Sequence, residues 1–297
     1  MPRRGSTAPT RGDARAFARH ALDEDRAAHD RTSRAVVPAG AHAEAGVVAQ
    51  AAGVLSGVTV AAVVARSAGA SARILVRDGA RVRPGRRVLR LSGTARSLLA
   101  AERTLLNVLM HASGVATTTA RAVRATRGGP RRLEVWATRK TLPGLRDLEK
   151  AAVVHGGGRP HRRDLSDALL IKNNHLALVP LGAAVRRARA AARPDERVQV
   201  EVRSAADAVR AARAGADAIL IDNASPARAR SIVEALARAG LRRGRWIELS
   251  GGITPDNVGR YRRAGADAVS LGSLTHSAPA LPFHLELRPT RLSRPRS

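Results

Sequence analysis

The sequence predicts an α/β protein, a (β/α) barrel preceded by a smaller strand-rich domain, and three observations carry that prediction. From Leu133 onward an apolar strand, a polar or glycine-bearing turn and an Ala/Arg helix recur, with strands read at LEVWAT, DALLIK, VQVEV, AILIDN, IELSGG and AVSLGS. Runs so uniformly apolar suit parallel strands buried on both faces. An internal repeat accompanies them: RAGADAILID (Arg213 to Asp222) and RAGADAVSLG (Arg263 to Gly272) are the same helix end, turn and strand, with Gly215 and Gly265 as left-handed helix stops. Such repetition favours a barrel over a doubly wound sheet. Ahead of it, from Ala35 to Leu91, short Val-rich runs are broken by Gly and by RDG and RPG turns, the texture of a small sheet.

Composition bounds what such a protein does. A chain of 297 residues, 44% of them hydrophobic, fills a substantial core. Zero cysteines exclude disulfides, thiolate zinc sites and a cysteine nucleophile, and fit a reducing, cytoplasmic setting. The most apolar stretch, Ala51 to Ala65, is too short and too interrupted by Gly to span a bilayer. MPRRGSTAPTRGDARAF lacks the apolar segment of a secretory signal, so residues 1–14 are expected to be a disordered leader. The net charge of +28 invites a nucleic-acid reading. Against it stand 2% aromatics and the lack of any zinc finger, RNP-type strand or basic-region heptad, so no specific nucleic-acid partner is expected. The arginines punctuate alanine-rich helices as solvated faces, and their field draws in small anionic substrates.

In chain order, Arg15 to Arg31 reads as a first helix, with Asp23, Glu24 and Asp25 on a solvated face. Thr94 to Arg127 reads as two helices broken at Gly114, with Leu98, Leu99, Leu105, Leu106, Leu109 and Met110 as the apolar face. Glu102 and Arg103 read by spacing as a surface ion pair of little value. The domain boundary falls nearby.

In a (β/α) barrel the chemistry lies at the C-terminal ends of the strands. Those ends carry Thr138, Arg139 and Lys140; Lys172; Glu201; Asp222; Ser250, Gly251 and Gly252; and Gly272 and Ser273. Only three of the 52 Lys plus Arg are lysine, namely Lys140, Lys150 and Lys172, and all lie between Thr138 and His175. An ammonium is a point charge and a guanidinium a planar fork, so lysines kept in an arginine-rich chain mark where to look. Ser250–Gly252 precedes Thr254, Pro255 and Asp256, which read as N-cap, first-turn proline and acidic first turn of a helix. Either these are ordinary tight turns or, with Gly272 and Ser273, they form the phosphate site that barrels build from their last two loops. Arg139, His161, Arg162 and Lys172 offer donors to a small polycarboxylate. His161 also reads as a capped loop histidine; a metal pair with His155 is disfavoured by the lack of a third ligand and by Arg162 and Arg163.

ERTLLNVLMHASGVAT, TRKTLPGLRDLEK, GGG-x-x-HR-x-x-L-x-D, LIKNNH, VEV, ILIDN, SGGI and LGSLTHS, in that order, resemble quinolinate phosphoribosyltransferase, the decarboxylating nicotinate-nucleotide pyrophosphorylase family of NAD biosynthesis. The resemblance runs from about Ala21 to Leu287; His29, where the family usually has Gly, and the Arg-rich termini depart from it. It implies an incomplete (β/α) TIM-like barrel at 114–276, a smaller strand-rich α+β N-terminal domain at 15–113 and a segment at 277–288 returning to that domain; residues 289–297 read as an Arg-rich tail. It implies quinolinate and phosphoribosyl pyrophosphate as substrates and Mg2+ as cofactor. It also implies a homodimer in which Arg103 reaches the neighbour's site, replacing its reading as a surface pair. Arg139, His161, Arg162 and Lys172 would hold quinolinate, with Thr138 beside them, and Lys140 would face the pyrophosphate. Glu201 and Asp222 would act on the ribose and its magnesium, and Ser250–Gly252 with Leu271, Gly272 and Ser273 would bind the 5-phosphate. A transferase acting on another aromatic acid such as nicotinate is the alternative.

Overall fold

The computed structural model describes residues 10–290. Two compact units divide them: 10–118, 147–156 and 278–290 form one, and 119–146 with 157–277 form the other. No helix among the described residues is long and apolar enough to cross a membrane.

The first unit opens with α1 (Arg11–Glu24) and α2 (Arg31–Val36), followed by β1 (His42–Ala49), β2 (Gly53–Val54), α3 (Val58–Ser67), β3 (Ser71–Ile74), β4 (Arg81–Val82), β5 (Arg87–Thr94) and α4 (Ala95–Ala125). The first helix begins inside the stretch expected to be a leader, because Thr10 and Asp13 form a capping box. It ends at Glu24 instead of reaching Arg31, since Arg26 adopts a left-handed conformation (φ 49°) and Asp30 caps a second helix through the Ser33 amide. Residues 1–9 and 291–297, most of the expected leader and tail, lie outside the described residues. Part of the Val-rich run also departs from the expectation of strands. VTVAAVVARS is helix α3, started by Gly57 at φ 86° and capped by Asp78, whose carboxylate accepts from the Val58 and Thr59 amides at 2.9 and 3.3 Å. A short apolar run has no period to separate a buried helix from a strand.

Four antiparallel strands then form a sheet in the order β12-β1-β5-β3, with β12 (Phe283–Pro289) returning from the C-terminal end to pair Ala49 with Phe283. Helix α4 is unbroken through 31 residues, so Gly114 is no helix break. A Cβ there would collide with the backbone of Pro279 and Ala280, and the Leu281 amide bonds the Met110 carbonyl at 3.0 Å. The glycine lets the returning segment lie directly on the helix. Helix α5 (Arg146–His155) carries Lys150, buried mid-helix, and Glu149, whose carboxylate meets His111 Nε2 at 2.9 Å.

The second unit holds six parallel strands: β6 (Glu134–Trp136), β7 (Leu169–Ile171), β8 (Val198–Val202), β9 (Ala218–Asp222), β10 (Trp246–Ser250) and β11 (Ala268–Ser270). Helices α6 (Asn173–Leu176), α7 (Leu181–Ala191), α8 (Ala205–Arg213), α9 (Pro226–Arg238) and α10 (Ser273–His276) lie between or after them. All six expected strands are present. Their order is β6-β11-β10-β9-β8-β7, so the sequence neighbours β6 and β7 stand at opposite edges and do not pair. Beside β6 there is only a single-residue bridge at Arg159, which leaves the barrel incomplete. The repeat is structural as well. Gly215 and Gly265 both have positive φ (101° and 78°), and Asp217 and Asp267 bond the amides of Val198 and Ile247 at 2.9 and 2.7 Å.

Gly114→Ala tests the close approach. Helix propensity alone favours alanine by about 1 kcal/mol, whereas overpacking costs about 1–3 kcal/mol; a net loss of stability is expected, read as a lower urea midpoint.

Candidate active site

Register brings the expected strand-end residues together. Ile171 pairs with Val200, so Lys172 follows beside Glu201, and Nζ meets Oε2 at 3.1 Å. The other oxygen of Glu201 accepts from Asn173 Nδ2 at 2.5 Å, and the carboxylate is largely buried. One strand further on, Val202 pairs with Ile221, which sets Arg203 beside Asp222. Arg203 Nε and Nη2 each lie 3.1 Å from Asp222 Oδ2, and Asn223 Nδ2 bonds Oδ1 at 3.0 Å. Each carboxylate is thus matched by a cation from the end of the preceding strand. Both cations are half exposed or more, and pairs of that kind contribute about 0–1 kcal/mol.

The glycine loop follows β10. Asn223, at φ 51°, donates its amide to the Ser250 carbonyl at 2.8 Å, and a Cβ on Gly251 would collide with the Asn223 side chain. Gly251 and Gly252 have φ of 85° and 64°, a conformation side chains rarely adopt. The helix expected to start at Thr254 is not formed. Asn257 instead ties the loop, accepting from the Thr254 amide and donating to the Gly252 carbonyl, both at 2.9 Å, and only a 3₁₀ turn at Val258–Tyr261 follows. Local side-chain bonds of this kind compete with helix formation. Bare glycine backbone, without a long helix behind it, is what the loop presents.

Gly272 lies under Lys140: a Cβ there would stand 2.8 Å from Lys140 Cδ. Thr275 Oγ1 donates to the Lys140 carbonyl at 2.7 Å, so the last loop and the loop after β6 are joined. The side chain of Leu271 is fully buried and its amide bonds the Trp136 carbonyl at 3.0 Å. Gly272 and Ser273 are the residues of this loop open to a ligand; Ser273 Oγ lies 3.5 Å from the Ile253 carbonyl.

Two guanidiniums make up the remaining wall. Thr138 Oγ1 accepts from the Lys140 amide at 3.0 Å, turning the chain after β6. Between them, Arg139 has a buried Nε with no hydrogen-bond partner among the described residues. Arg162 is buried and donates only weakly to the Ala168 carbonyl, at 3.4 Å. Its burial, and then the nearby Arg139 charge, push its pKa below the ordinary arginine value. Two guanidiniums so close and so poorly paired form an anion site with bidentate geometry on offer. His161 sits in a left-handed conformation (φ 55°) with its ring edge-on to Trp136 at 5.6 Å. Nδ1 accepts from the Arg162 amide at 2.7 Å, and Nε2 faces Glu248 at 3.2 Å. Each ring nitrogen thus has a protein group beside it. His155 Nδ1 lies 2.8 Å from Ser56 Oγ.

Asn173, Arg203, Asn223 and Glu248 are the residues that reading strand ends alone overlooks. Glu248 had a signal: a carboxylate in the apolar run IELSGG, two residues before Ser250 and so on the same face.

The family models for the N- and C-terminal domains of quinolinate phosphoribosyl transferase match residues 30–113 and 115–286. The chain belongs to the quinolinate phosphoribosyltransferase family. A probable nicotinate-nucleotide pyrophosphorylase [carboxylating] of Methanothermobacter thermautotrophicus is 43% identical over 87% of this chain and 93% of its own. The human nicotinate-nucleotide pyrophosphorylase [carboxylating] is 41% identical over 71% of this chain and 70% of its own. The crystal structure of NadC from Streptococcus pyogenes superposes with a TM-score of 0.87 at 38% identity, covering 96% of this chain and all of that one.

Gly251→Ala would place a methyl group against Asn223 in a left-handed backbone. A cost of about 1–3 kcal/mol in stability is expected, to be read by urea denaturation.

Proposed function

We infer that the protein transfers the phosphoribosyl group of phosphoribosyl pyrophosphate to quinolinate, releasing pyrophosphate and carbon dioxide and leaving nicotinate mononucleotide, a step of NAD biosynthesis. The observation that carries the choice of substrate is the Arg139–Arg162 pair, two guanidiniums with donors to spare where one would serve a monocarboxylate such as nicotinate. Supplying either acid with phosphoribosyl pyrophosphate and magnesium tests it; nicotinate mononucleotide formed with carbon dioxide from quinolinate is expected, and product from nicotinate alone would overturn it.

The ring nitrogen of quinolinate displaces pyrophosphate from the anomeric carbon, and the adjacent carboxylate then leaves as carbon dioxide, its bonding pair staying on the ring carbon, which takes a proton from water. No protein nucleophile is needed. Arg139, Arg162 and Lys172 orient the dianion, with Thr138 setting the turn that carries Arg139 and His161 supporting Arg162 from below. Gly251, Gly252, Gly272 and Ser273, with Ser250, cradle the 5-phosphate, and Lys140 receives charge on the leaving pyrophosphate. Glu201 and Asp222 face the ribose, where positive charge develops in the transition state, and fixed carboxylates stabilise it electrostatically.

Magnesium fits as an ion carried in on the substrate. Mg2+ keeps several waters and binds through one or two carboxylates plus phosphates, and Glu201 and Asp222 already bond Lys172, Asn173, Arg203 and Asn223. Those two carboxylates would hold it, largely through water and substrate, where it neutralises the pyrophosphate.

A homodimer with shared sites completes the proposal. Arg103 is exposed on α4, and no ion pair joins it to Glu102 among the described residues, which leaves it available to a neighbouring chain's quinolinate. The absence of cysteine fits a cytoplasmic setting.

Asp222→Ala is expected to lower kcat by about 10²–10³-fold, the loss typical of one oriented electrostatic group, while KM for phosphoribosyl pyrophosphate changes less; wild-type turnover would remove Asp222 from the mechanism. Arg103→Ala mixed with Lys172→Ala should recover up to about a quarter of wild-type activity, because one site of each mixed dimer is intact. Verified mixed dimers without recovery would count against shared sites.

A further inference from the structure

Below the proposed quinolinate wall lies a buried carboxylate that the reaction itself does not use. Glu248 stands in the middle of β10, 2% exposed, on the face of the strand that carries Ser250. Gln199 Nε2 donates to its Oε2 at 2.9 Å, and Ser270 also bonds it. Oε1 carries no aligned hydrogen bond and faces His161 Nε2 at 3.2 Å. A cavity of about 30 Å³ beneath the wall is lined by Glu248, His161, Arg162, Gln199, Trp136 and Trp246.

The direction of each contact matters. The Arg162 amide donates to His161 Nδ1, so Nδ1 is the accepting nitrogen and the ring proton lies on Nε2, toward Glu248. Both ring nitrogens are therefore engaged inside the barrel, and the imidazole is held between a carboxylate and the backbone of the arginine that follows it. His161 keeps a left-handed backbone, which persists only where surrounding contacts over-determine it. Glu248 provides such a contact, and its charge also acts on Arg162. Burial alone raises the Glu248 carboxyl, but the His161 ring and the hydrogen bonds from Ser270 and Gln199 hold it below the usual carboxylate range.

We propose that Glu248 is a positioning residue for the dicarboxylate substrate: through His161 it fixes the backbone and guanidinium of Arg162 beside Arg139, and so sets the spacing of the two forks that receive quinolinate. The proposal rests on the reading of the substrate given above. Its effect belongs to quinolinate and not to phosphoribosyl pyrophosphate, whose cradle is built from Gly251, Gly252, Gly272 and Ser273.

Glu248→Gln keeps the volume and the bond to Gln199 while removing the charge that faces His161. Steady-state kinetics with each substrate varied in turn, thermal melting, and the same substitution in a His161→Asn background test the idea. The expected result is a protein melting within a few degrees of wild type, with KM for quinolinate raised on the order of tenfold, KM for phosphoribosyl pyrophosphate within about twofold, and little further loss when His161 is already replaced. A folded Glu248→Gln with unchanged KM for quinolinate overturns the proposal, as do equal changes in both KM values or losses that multiply in the double variant. Should Glu248→Gln not fold, Ser270→Ala and Gln199→Met each remove one donor to the same carboxylate, and they must raise KM for quinolinate alone or the proposal falls. Wild-type protein that makes no nicotinate mononucleotide from quinolinate overturns the reading of the reaction and this proposal with it, whereas a wild type that turns over beside an unaffected Glu248→Gln overturns this proposal only.

Discussion

Asp217 and Asp267 fix the register on which the whole rim depends. Each lies just before a strand, takes an amide from the first two residues of the neighbouring strand with its carboxylate, and gives its own amide to that residue's carbonyl: Asp217 with Val198 and Asp267 with Ile247. Arg189 and Arg242 hold the two carboxylates at 2.7 and 2.8 Å. β8 is thereby locked to β9 and β10 to β11 at their starts, far from the chemistry. Side chains alternate across a strand, so a slip of one residue would turn Glu201, Asp222 and Glu248 toward the covering helices. A carboxylate buried there without partners costs several kcal/mol, which makes the misregistered barrel self-defeating. The repeat that marks the fold in the sequence is thus also the device that aims the site.

With register fixed, charge decides what the rim accepts. Glu201 and Asp222 are already neutralised by Lys172 and Arg203. Arg139 has a buried Nε without a partner among the described residues, Arg162 donates only to a carbonyl at 3.4 Å, and Lys140 stands over Gly272 of the last loop. The pocket therefore carries excess positive charge in a partly desolvated setting, where attraction for an anion is stronger than in water. The net charge of +28 adds a long-range field that salt screens, while the buried guanidiniums act at contact distance and are screened far less.

The parallel strands were legible because each is a short, uniformly apolar run closed by a polar residue, and those closing residues fall on the rim. Legibility failed where one pattern has two physical solutions. VTVAAVVARS suits a buried helix as well as a strand, and only Gly57 and the distant Asp78 decide. Gly114 breaks an isolated helix but serves a packed one, and the deciding contact comes from Pro279, 165 residues later. Asn257 defeats the helix written in Thr254–Asp256 by bonding both sides of the loop. At the site, Lys172, Glu201 and Asp222 could be placed by counting strands, but Arg203 and Asn173 could not, because their partners are set by register between strands. His161 shows the same limit: its sequence neighbours suggest a substrate donor, and its surroundings engage both ring nitrogens.

Burial sorts these carboxylate contacts into two kinds with different consequences for turnover. Lys172 and Arg203 are 50% and 62% exposed, so their pairs with Glu201 and Asp222 are worth about 0–1 kcal/mol, and an incoming anion can draw the cations away at little cost. His161 and Glu248 are 10% and 2% exposed, and removing the imidazole leaves the buried carboxylate without the group that faces one of its oxygens, which costs several kcal/mol. The first kind can rearrange when substrates bind, and the second cannot. A rim that is to rearrange around an incoming anion over a fixed floor needs both kinds, and the same residue chemistry supplies them through depth below the rim alone.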